Sequence, residues 1–278
     1  MKLGMNIRNW GDTATPDFIT ECAQYADRST LDAIWFNDHV AMPPVLENNP
    51  YGVPLDMGNI IDPLAFGNFL AGITTRIHFG TGVLVIPYRP PLLTNKLITS
   101  IQVLSGNRFL LGIGPGYLEE EFKALGVPRS RRGKITDEIL TLLQESSKNE
   151  VVNANGQDVA LKPMLPLPPI YVGGNADVAI PRAIKLGHGW MPVSAMPDEL
   201  KPNIARLHEE GAAAGRDDLV TVHMKTLPLA ERNEAIELAC AYQEVGVNHL
   251  VHTQGYDSPA QFAEVVDQVD GEIRAALN

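Results

Sequence analysis

Short runs of apolar residues alternate along the whole chain with longer segments in which apolar residues recur every three or four positions. The short runs have the length of buried strands, and the longer segments have the spacing typical of amphipathic helices. Strands are predicted at residues 2–7, 33–37, 77–85, 109–113, 170–172, 190–193, 220–225 and 249–252. Helices are predicted at residues 16–28, 63–74, 92–104, 118–125, 131–147, 176–186, 198–214, 231–245 and 260–277.

This alternation gives about eight strand–helix units, the number that a (β/α)₈ barrel requires. Strands separated by helices pair in parallel, because each crossover helix returns the chain to the same end of the sheet. We therefore predict a single α/β domain over residues 1–278, a TIM barrel, with an open doubly wound sheet as the alternative. Two insertions interrupt it: Asp38–Ile61 after the second strand, and a hairpin with an Asn-Gly turn at residues 150–168 after the fourth.

Composition narrows the function. The 278 residues carry a formal net charge of -11, which disfavours nucleic acid as a partner. The N-terminus lacks the apolar core of a signal peptide, and no apolar run is long enough to cross a bilayer, so we expect a cytoplasmic protein without a membrane partner. Cys22 and Cys240 lie in apolar helical patterns and are predicted to be buried thiols.

In such a barrel the chemistry lies where strands end, and the second strand ends at Asp38-His39. A histidine beside a carboxylate can transfer a proton near neutral pH, so His39 and Asp38 are candidate catalytic residues. The alternative is a capping aspartate beside a surface histidine. No His-x-His or Glu-x-x-His pattern supplies further ligands, so no metal site is predicted.

Two predicted strand ends are rich in glycine. Gly173-Gly174-Asn175 directly precedes a predicted helix, a favourable place for a phosphate, and Gly114-Pro115-Gly116 precedes another. The alternative is that each loop is simply a tight turn between a strand and a helix, and for either loop taken alone this is the more favoured interpretation. Arg131, Arg132 and Lys134 form the densest basic patch, which indicates either anion recognition or a solvated helix start. The chain has no Gly-x-Ser-x-Gly elbow and no Walker A loop.

Four stretches together resemble the bacterial luciferase-like superfamily of flavin- and deazaflavin-dependent oxidoreductases. They are AIWFNDHV, RIHFGTGVLVIPYRPP, LSGNRFLLGIGPGYLEEEFKALGVP followed by RRG, and PPIYVGGNADVAIPRAIKLGHGWMPV. The resemblance implies a reduced FMN or coenzyme F420 cofactor, a small organic substrate and a homodimer. It also implies either hydride transfer with F420 or monooxygenation with reduced FMN that a separate reductase supplies.

The resemblance also implies roles for individual residues. Asp38 and His39 would line the face of the cofactor ring, with His39 handling the proton, and a cis peptide would join Gly82 to Val83. Residues implied to bind the cofactor are Asp38, Gly82, Val83, Gly114, Gly116, Tyr117, Gly173, Gly174 and Asn175. Tyr117 stands where some deazaflavin dehydrogenases carry a catalytic glutamate. The resemblance therefore does not assign a catalytic glutamate to this chain.

The first insertion is predicted to form a wall of the substrate pocket. Its Met42, Pro43, Pro44, Tyr51 and Met57 suggest a partly apolar substrate. Two rival functions remain open at this point. One is a phosphate-binding lyase or isomerase with a lysine base, for which Lys225 is the clear candidate. The other is a barrel that binds flavin without catalysis.

Overall fold

Eight parallel strands close into a barrel in the order β1-β10-β9-β8-β7-β4-β3-β2, which confirms the predicted TIM barrel. The computed structural model describes residues 1–46, 52 and 54–277. The strands are β1 (Lys2–Asn6), β2 (Ala33–Phe36), β3 (His78–Val85), β4 (Phe109–Gly114), β5 (Val151–Ala154), β6 (Gln157–Ala160), β7 (Ile170–Gly173), β8 (Gly189–Met191), β9 (Val220–Lys225) and β10 (His249–His252). β5 and β6 stand outside the barrel as the predicted antiparallel hairpin, and Asn155 and Gly156 turn it with positive φ angles of 53° and 80°.

The helices surround the barrel, and capping side chains mark the start of several of them. The helices are α1 (Pro16–Arg28), α2 (Pro63–Ile73), α3 (Pro91–Ser105), α4 (Glu119–Ala124), α5 (Arg132–Lys148), α6 (Ala176–Leu186), α7 (Pro197–Ala213), α8 (Arg232–Glu244), α9 (Pro259–Asp267) and α10 (Arg274–Leu277). The side chains of Thr15, Asp62 and Asn175 accept hydrogen bonds from the first turns of α1, α2 and α6. No helix in the described ranges is both long and apolar enough to span a membrane.

Three local predictions need correction. The last helix was predicted as one element, but a π-helical turn at Gln268–Ile273 separates α9 from α10. There Asp270 accepts hydrogen bonds from both the amide and the hydroxyl of Thr30, which ties the turn to the segment before β2. The sixth barrel strand ends at Met191, and Val193 makes only an isolated bridge. Both cysteines are free; Cys22 is buried as predicted, but Cys240 is partly exposed.

Apolar side chains fill the barrel in two layers. A large cluster lies between strands and helices, and a smaller one fills the interior, including Trp35, Leu110, Met191 and Met224. Met191 and Met224 also line the cleft at the carboxyl end of the strands. The top of the barrel core is therefore the floor of that cleft.

A buried asparagine joins the two ends of the first insertion. The Asn9 amide nitrogen donates to the carbonyl oxygens of Asn37 and Ile61, each at 2.9 Å, and its Oδ1 accepts the Asn37 amide at 3.1 Å. Asn9 is fully buried, so these bonds are shielded from water and costly to lose. The insertion consequently leaves and re-enters the barrel at fixed points.

Asp27, near the end of α1, makes stability depend on pH. Partial burial raises its pKa, but hydrogen bonds from the amides of Ile77, Arg76 and Thr75 outweigh that effect and lower the pKa to about 2. Because the pKa of Asp27 is lower in the folded state, its hydrogen bonds stabilise the fold fully above the pKa of the unfolded chain, about 4. This stabilisation is lost as pH falls toward 2. We expect Asp27→Asn to lower the midpoint of thermal unfolding at pH 7. The difference in midpoint between this variant and the wild type should become smaller below pH 4. Glu21→Gln, on the exposed face of α1, is the control, and a gap that is constant with pH would contradict this account.

Candidate active site

A cleft of about 710 Å³ opens where the barrel strands end. That volume is within the range of pockets that bind cofactors or drug-sized ligands. All ten predicted site residues line it: Asp38, His39, Gly82, Val83, Gly114, Gly116, Tyr117, Gly173, Gly174 and Asn175. These residues come from four separate strand ends, and closure of the barrel brings them together. No group of three or more His, Cys, Asp or Glu side chains in the described part of the chain is arranged to hold a metal ion.

Val83 is one of the apolar residues that line the cleft. The peptide bond from Gly82 to Val83 is cis, as the resemblance implied, and the pairing of β3 with β4 shifts register between Thr81 and Leu84. The Val83 side chain lies against two predicted cofactor-binding glycines. A Cβ atom at Gly114 would lie 2.6 Å from Val83 Cγ2, and one at Gly173 would lie 3.1 Å from Val83 Cγ1. These glycines therefore leave room for Val83, a packing reason that sequence reasoning missed.

The loop after β7 forms one rim of the cleft. Gly174 has a φ of +121°, a conformation that favours glycine, and its carbonyl oxygen accepts the Trp190 indole N–H at 3.2 Å. Asn175 then caps α6 by accepting the Asp177 amide at 2.9 Å. This rim therefore presents a helix N-terminus with exposed glycine backbone beside it, an arrangement that favours an anion.

The basic patch divides between the cleft and the solvent. Arg132 lines the cleft, and within the described residues its guanidinium bonds only the Arg129 carbonyl oxygen, at 3.0 Å. Arg131 and Lys134 lie outside the cleft and contact Glu138 at 3.9 and 3.8 Å. The anion interpretation thus has geometric support for Arg132, and the solvated interpretation applies to the other two.

Asp38 is buried in an ion pair. Its Oδ2 accepts the Val85 amide at 2.7 Å, and Arg89 donates to both of its oxygens at 2.6 and 2.8 Å. Arg89 also donates to Asp62, the residue that caps α2, at 2.7 Å. Burial raises the pKa of Asp38, and the bonds from Arg89 and Val85 act in the opposite direction. Because its oxygens are occupied in this way, the contacts support a structural role for Asp38 and do not support the predicted catalytic one.

His39 lies at the cleft wall in contact with a buried carboxylate. Its Nδ1 is 2.9 Å from Glu121 Oε2, which also accepts the Tyr88 hydroxyl at 3.0 Å. Tyr117 packs edge-on against the imidazole, with ring centroids 6.3 Å apart. A histidine that is held by a carboxylate and open to a cleft is suited to accept and return a proton.

Sequence reasoning assigned no role to Glu121, although the sequence contains a signal for it. Leu118 and Phe122 are spaced as i and i+4 and mark the buried face of α4. Glu121 lies on that same side and is 1% exposed, whereas Glu119 and Glu120 are exposed. Helical periodicity alone would have singled it out from the run of three glutamates.

The wall predicted from the insertion is only partly correct. Met57 lines the cleft, but Met42, Pro43 and Pro44 do not, and Tyr51 lies outside the described residues. Most of the apolar surface comes instead from strand ends and neighbouring loops. Its members include Trp10, Val85, Met191, Val193 and Met224, while Pro54 belongs to the insertion and lines the cleft together with Met57.

The lysine that a lyase or isomerase would need does not face the cleft. Lys225 Nζ contacts the Ser194 carbonyl oxygen at 3.3 Å and the Met196 sulfur at 3.4 Å, on an exposed part of the rim. Lys225 is not among the residues that line the cleft. This geometry gives no support to that rival function.

Comparison with known proteins gives one family and a consistent fold. The profile of the luciferase-like monooxygenase family matches residues 1–274. An uncharacterized protein of Mycobacterium tuberculosis is 36% identical over 164 residues, which is 57% of this chain and 57% of that protein. The matched region thus spans little more than half of that relative.

Two solved structures resemble the whole barrel. The oxygenating constituent of 3,6-diketocamphane monooxygenase of Pseudomonas putida, in complex with FMN, gives a TM-score of 0.78 at 16% identity and covers 98% of both chains. The coenzyme F420-dependent tetrahydromethanopterin reductase of Methanopyrus kandleri gives 0.74 at 13% identity, covering 100% of this chain and 99% of that one. At these identities the likeness shows the fold.

Replacing Arg89 with Leu is expected to lower the free energy of unfolding by about 3–5 kcal/mol, because it leaves the Asp38 carboxylate buried without a counter-ion. The loss should shrink as pH falls, since burial raises the pKa of Asp38 and its protonated form carries no charge. Chemical denaturation at pH 7 and pH 5 measures both effects.

The control for this experiment is Arg131→Leu. Its side chain is 57% exposed and contacts Glu138 at 3.9 Å, so its removal should change stability by about 0.5 kcal/mol or less. If the two variants lost similar amounts of unfolding free energy, the Asp38–Arg89 ion pair would not contribute more to stability than an exposed ion pair.

Proposed function

The chain belongs to the luciferase-like monooxygenase family, and we propose that it is an oxidoreductase that uses reduced FMN or coenzyme F420 to transform a small organic substrate. The observation that carries this proposal is the convergence at one cleft of Val83, two glycine-rich strand ends and a carboxylate-held histidine. The structure of similar fold in complex with FMN and the coenzyme F420-dependent reductase of similar fold support the same class of cofactor.

The residues present fit a planar ring with a phosphorylated tail. The floor of the cleft is apolar, formed by Val83, Met191 and Met224, and such a surface suits the face of an isoalloxazine or deazaflavin ring. At the rim, Gly174 and Arg132 offer backbone N–H groups and a guanidinium, the donors that bind phosphate. The ring would therefore lie on the floor and the phosphate at the rim.

When bound, the flavin or deazaflavin supplies the redox chemistry, and the protein supplies orientation and proton handling. His39 accepts or returns the proton that accompanies oxidation or reduction of the substrate. Trp10, Met57 and Val193 provide apolar contacts for the substrate and keep water away from it. If the cofactor is FMN, a separate reductase delivers it in the reduced state.

Titration with FMN and with F420, each oxidised and reduced, tests the cofactor assignment by fluorescence. We expect one of them to bind and Arg132→Leu to weaken its binding about tenfold, because a guanidinium–phosphate contact is lost. The same variant should leave the affinity for riboflavin, or for the phosphate-free deazaflavin core, unchanged. Arg131→Leu is the matched control, because the Arg131 guanidinium contacts Glu138 and does not line the cleft. If neither cofactor binds at micromolar concentration in either redox state, the proposal is wrong.

His39→Ala tests the proton-handling role and separates catalysis from storage of flavin. We expect turnover of the reduced cofactor with oxygen or an electron acceptor to fall by about 10²–10⁴-fold, the usual contribution of a general acid or base. Cofactor affinity should change only a few-fold. His208→Ala, at an exposed position on α7, is the control. Unchanged turnover in His39→Ala would favour a barrel that binds flavin without this chemistry.

A further inference from the structure

We propose that Glu121 is a positioning residue, which holds His39 in the tautomer with its proton on Nδ1 and so presents Nε2 to the cleft as a proton acceptor. This inference rests on the proposed function, because the direction of Nε2 matters only if His39 exchanges a proton with a bound group. It concerns a residue 82 positions along the chain from His39.

Glu121 accepts every hydrogen bond whose direction is fixed by its partner. Its Oε2 faces His39 Nδ1 and the Tyr88 hydroxyl, at 2.9 and 3.0 Å. Its Oε1 accepts the amide of Ala41 at 3.1 Å and the amide of Val40 in a shorter bond. Two backbone amides and a hydroxyl thus donate to the carboxylate. Only the imidazole could act as either hydrogen-bond donor or acceptor, depending on its tautomer.

The charge state of Glu121 settles that choice. Burial raises the pKa of its carboxyl, but the contact with His39 and the amide hydrogen bonds from Val40 and Ala41 outweigh burial and keep the pKa below its usual value. An ionised carboxylate only accepts hydrogen bonds, so His39 Nδ1 must carry the proton. The neutral imidazole then has a free lone pair on Nε2.

Nε2 is the ring nitrogen of His39 that remains available to the cleft. His39 lines the cleft, and within the described residues Nε2 has no hydrogen-bond partner. When Nε2 gains a proton, the imidazolium forms an ion pair with Glu121 and keeps its existing bond through Nδ1. A carboxylate that orients a histidine in this way fixes both its tautomer and the stability of its charged form.

The local packing fixes Glu121 independently of His39. Phe122, the next residue on α4, packs edge-on against Tyr88, with ring centroids 4.8 Å apart. The bonds to Val40 and Ala41 attach the same helix to the chain just after His39. A purely structural role for Glu121 would require only these backbone bonds, so the test must report on the imidazole itself.

Glu121→Gln distinguishes the two roles. The amides of Val40 and Ala41 select the amide oxygen of the new side chain, which turns its NH₂ group toward His39 Nδ1. Nδ1 must then accept, and the proton moves to Nε2. We expect ¹⁵N NMR of the histidine ring nitrogens in cofactor-free protein to show His39 protonated at Nδ1 in wild type and at Nε2 in Glu121→Gln. With cofactor, turnover should fall about 10–100-fold, mainly through kcat, while cofactor affinity changes little.

Two variants and the wild type make the test decisive. Glu120→Gln changes the neighbouring exposed glutamate and should leave both the tautomer and turnover as in wild type. Tyr88→Phe removes one donor to Glu121 and should keep the proton on Nδ1. A wild-type His39 protonated at Nε2 overturns the inference even if Glu121→Gln fails to fold, and so does a Glu121→Gln protein that keeps the Nδ1 proton. The NMR measurement needs no cofactor, so failure of cofactor binding would overturn the proposed function and leave the tautomer result standing.

Discussion

The hydrogen bonds of the Arg89 guanidinium hold the segment that carries the candidate active-site residues Asp38 and His39. The guanidinium binds both oxygens of Asp38 at the end of β2 and reaches Asp62 at the start of α2, while Asp38 accepts the Val85 amide at the end of β3. One cation therefore joins two strand ends and a helix cap. His39 follows Asp38 directly, so the position of the imidazole depends on this buried pair.

The two buried carboxylates beside His39 have different surroundings and different consequences. Asp38 forms an ion pair with Arg89, which is always charged. Glu121 instead contacts neutral donors, including the Tyr88 hydroxyl, and His39, whose charge can change. The oxygens of Asp38 are committed to Arg89 and the Val85 amide, whereas one oxygen of Glu121 contacts the imidazole of His39 and can orient it. Both residues are carboxylates, so their roles differ because of their partners. Asp38, paired with Arg89, supports the structure, and Glu121, in contact with His39, serves the proposed proton transfer.

The cleft also separates apolar and polar functions in space. Its floor is the top layer of the barrel core, with Val83 filling the room that Gly114 and Gly173 leave. Its rim carries backbone N–H groups at the start of α6 and the guanidinium of Arg132. This division suits a ligand with a flat apolar ring and a charged tail, and it leaves the wall with Trp10 and Met57 for a substrate with apolar surface.

The sequence by itself determined the barrel, the limits of α1 and α6, and the residues at the strand ends, including Asp38, His39 and both glycine-rich loops. These follow from local periodicity, from capping residues and from the rule that parallel strands end on one face, all of which can be read within short segments. Tertiary structure alone decided which side chains meet: Arg89 with Asp38 across 51 positions, Glu121 with His39 across 82, and Val83 with its glycines. It also placed Met42, Pro43 and Pro44 outside the cleft wall, and it surrounded Asp38 with the hydrogen bonds of Arg89 and Val85. The physical reason is that such contacts depend on strand register, barrel closure and the direction of each side chain, which no single segment encodes.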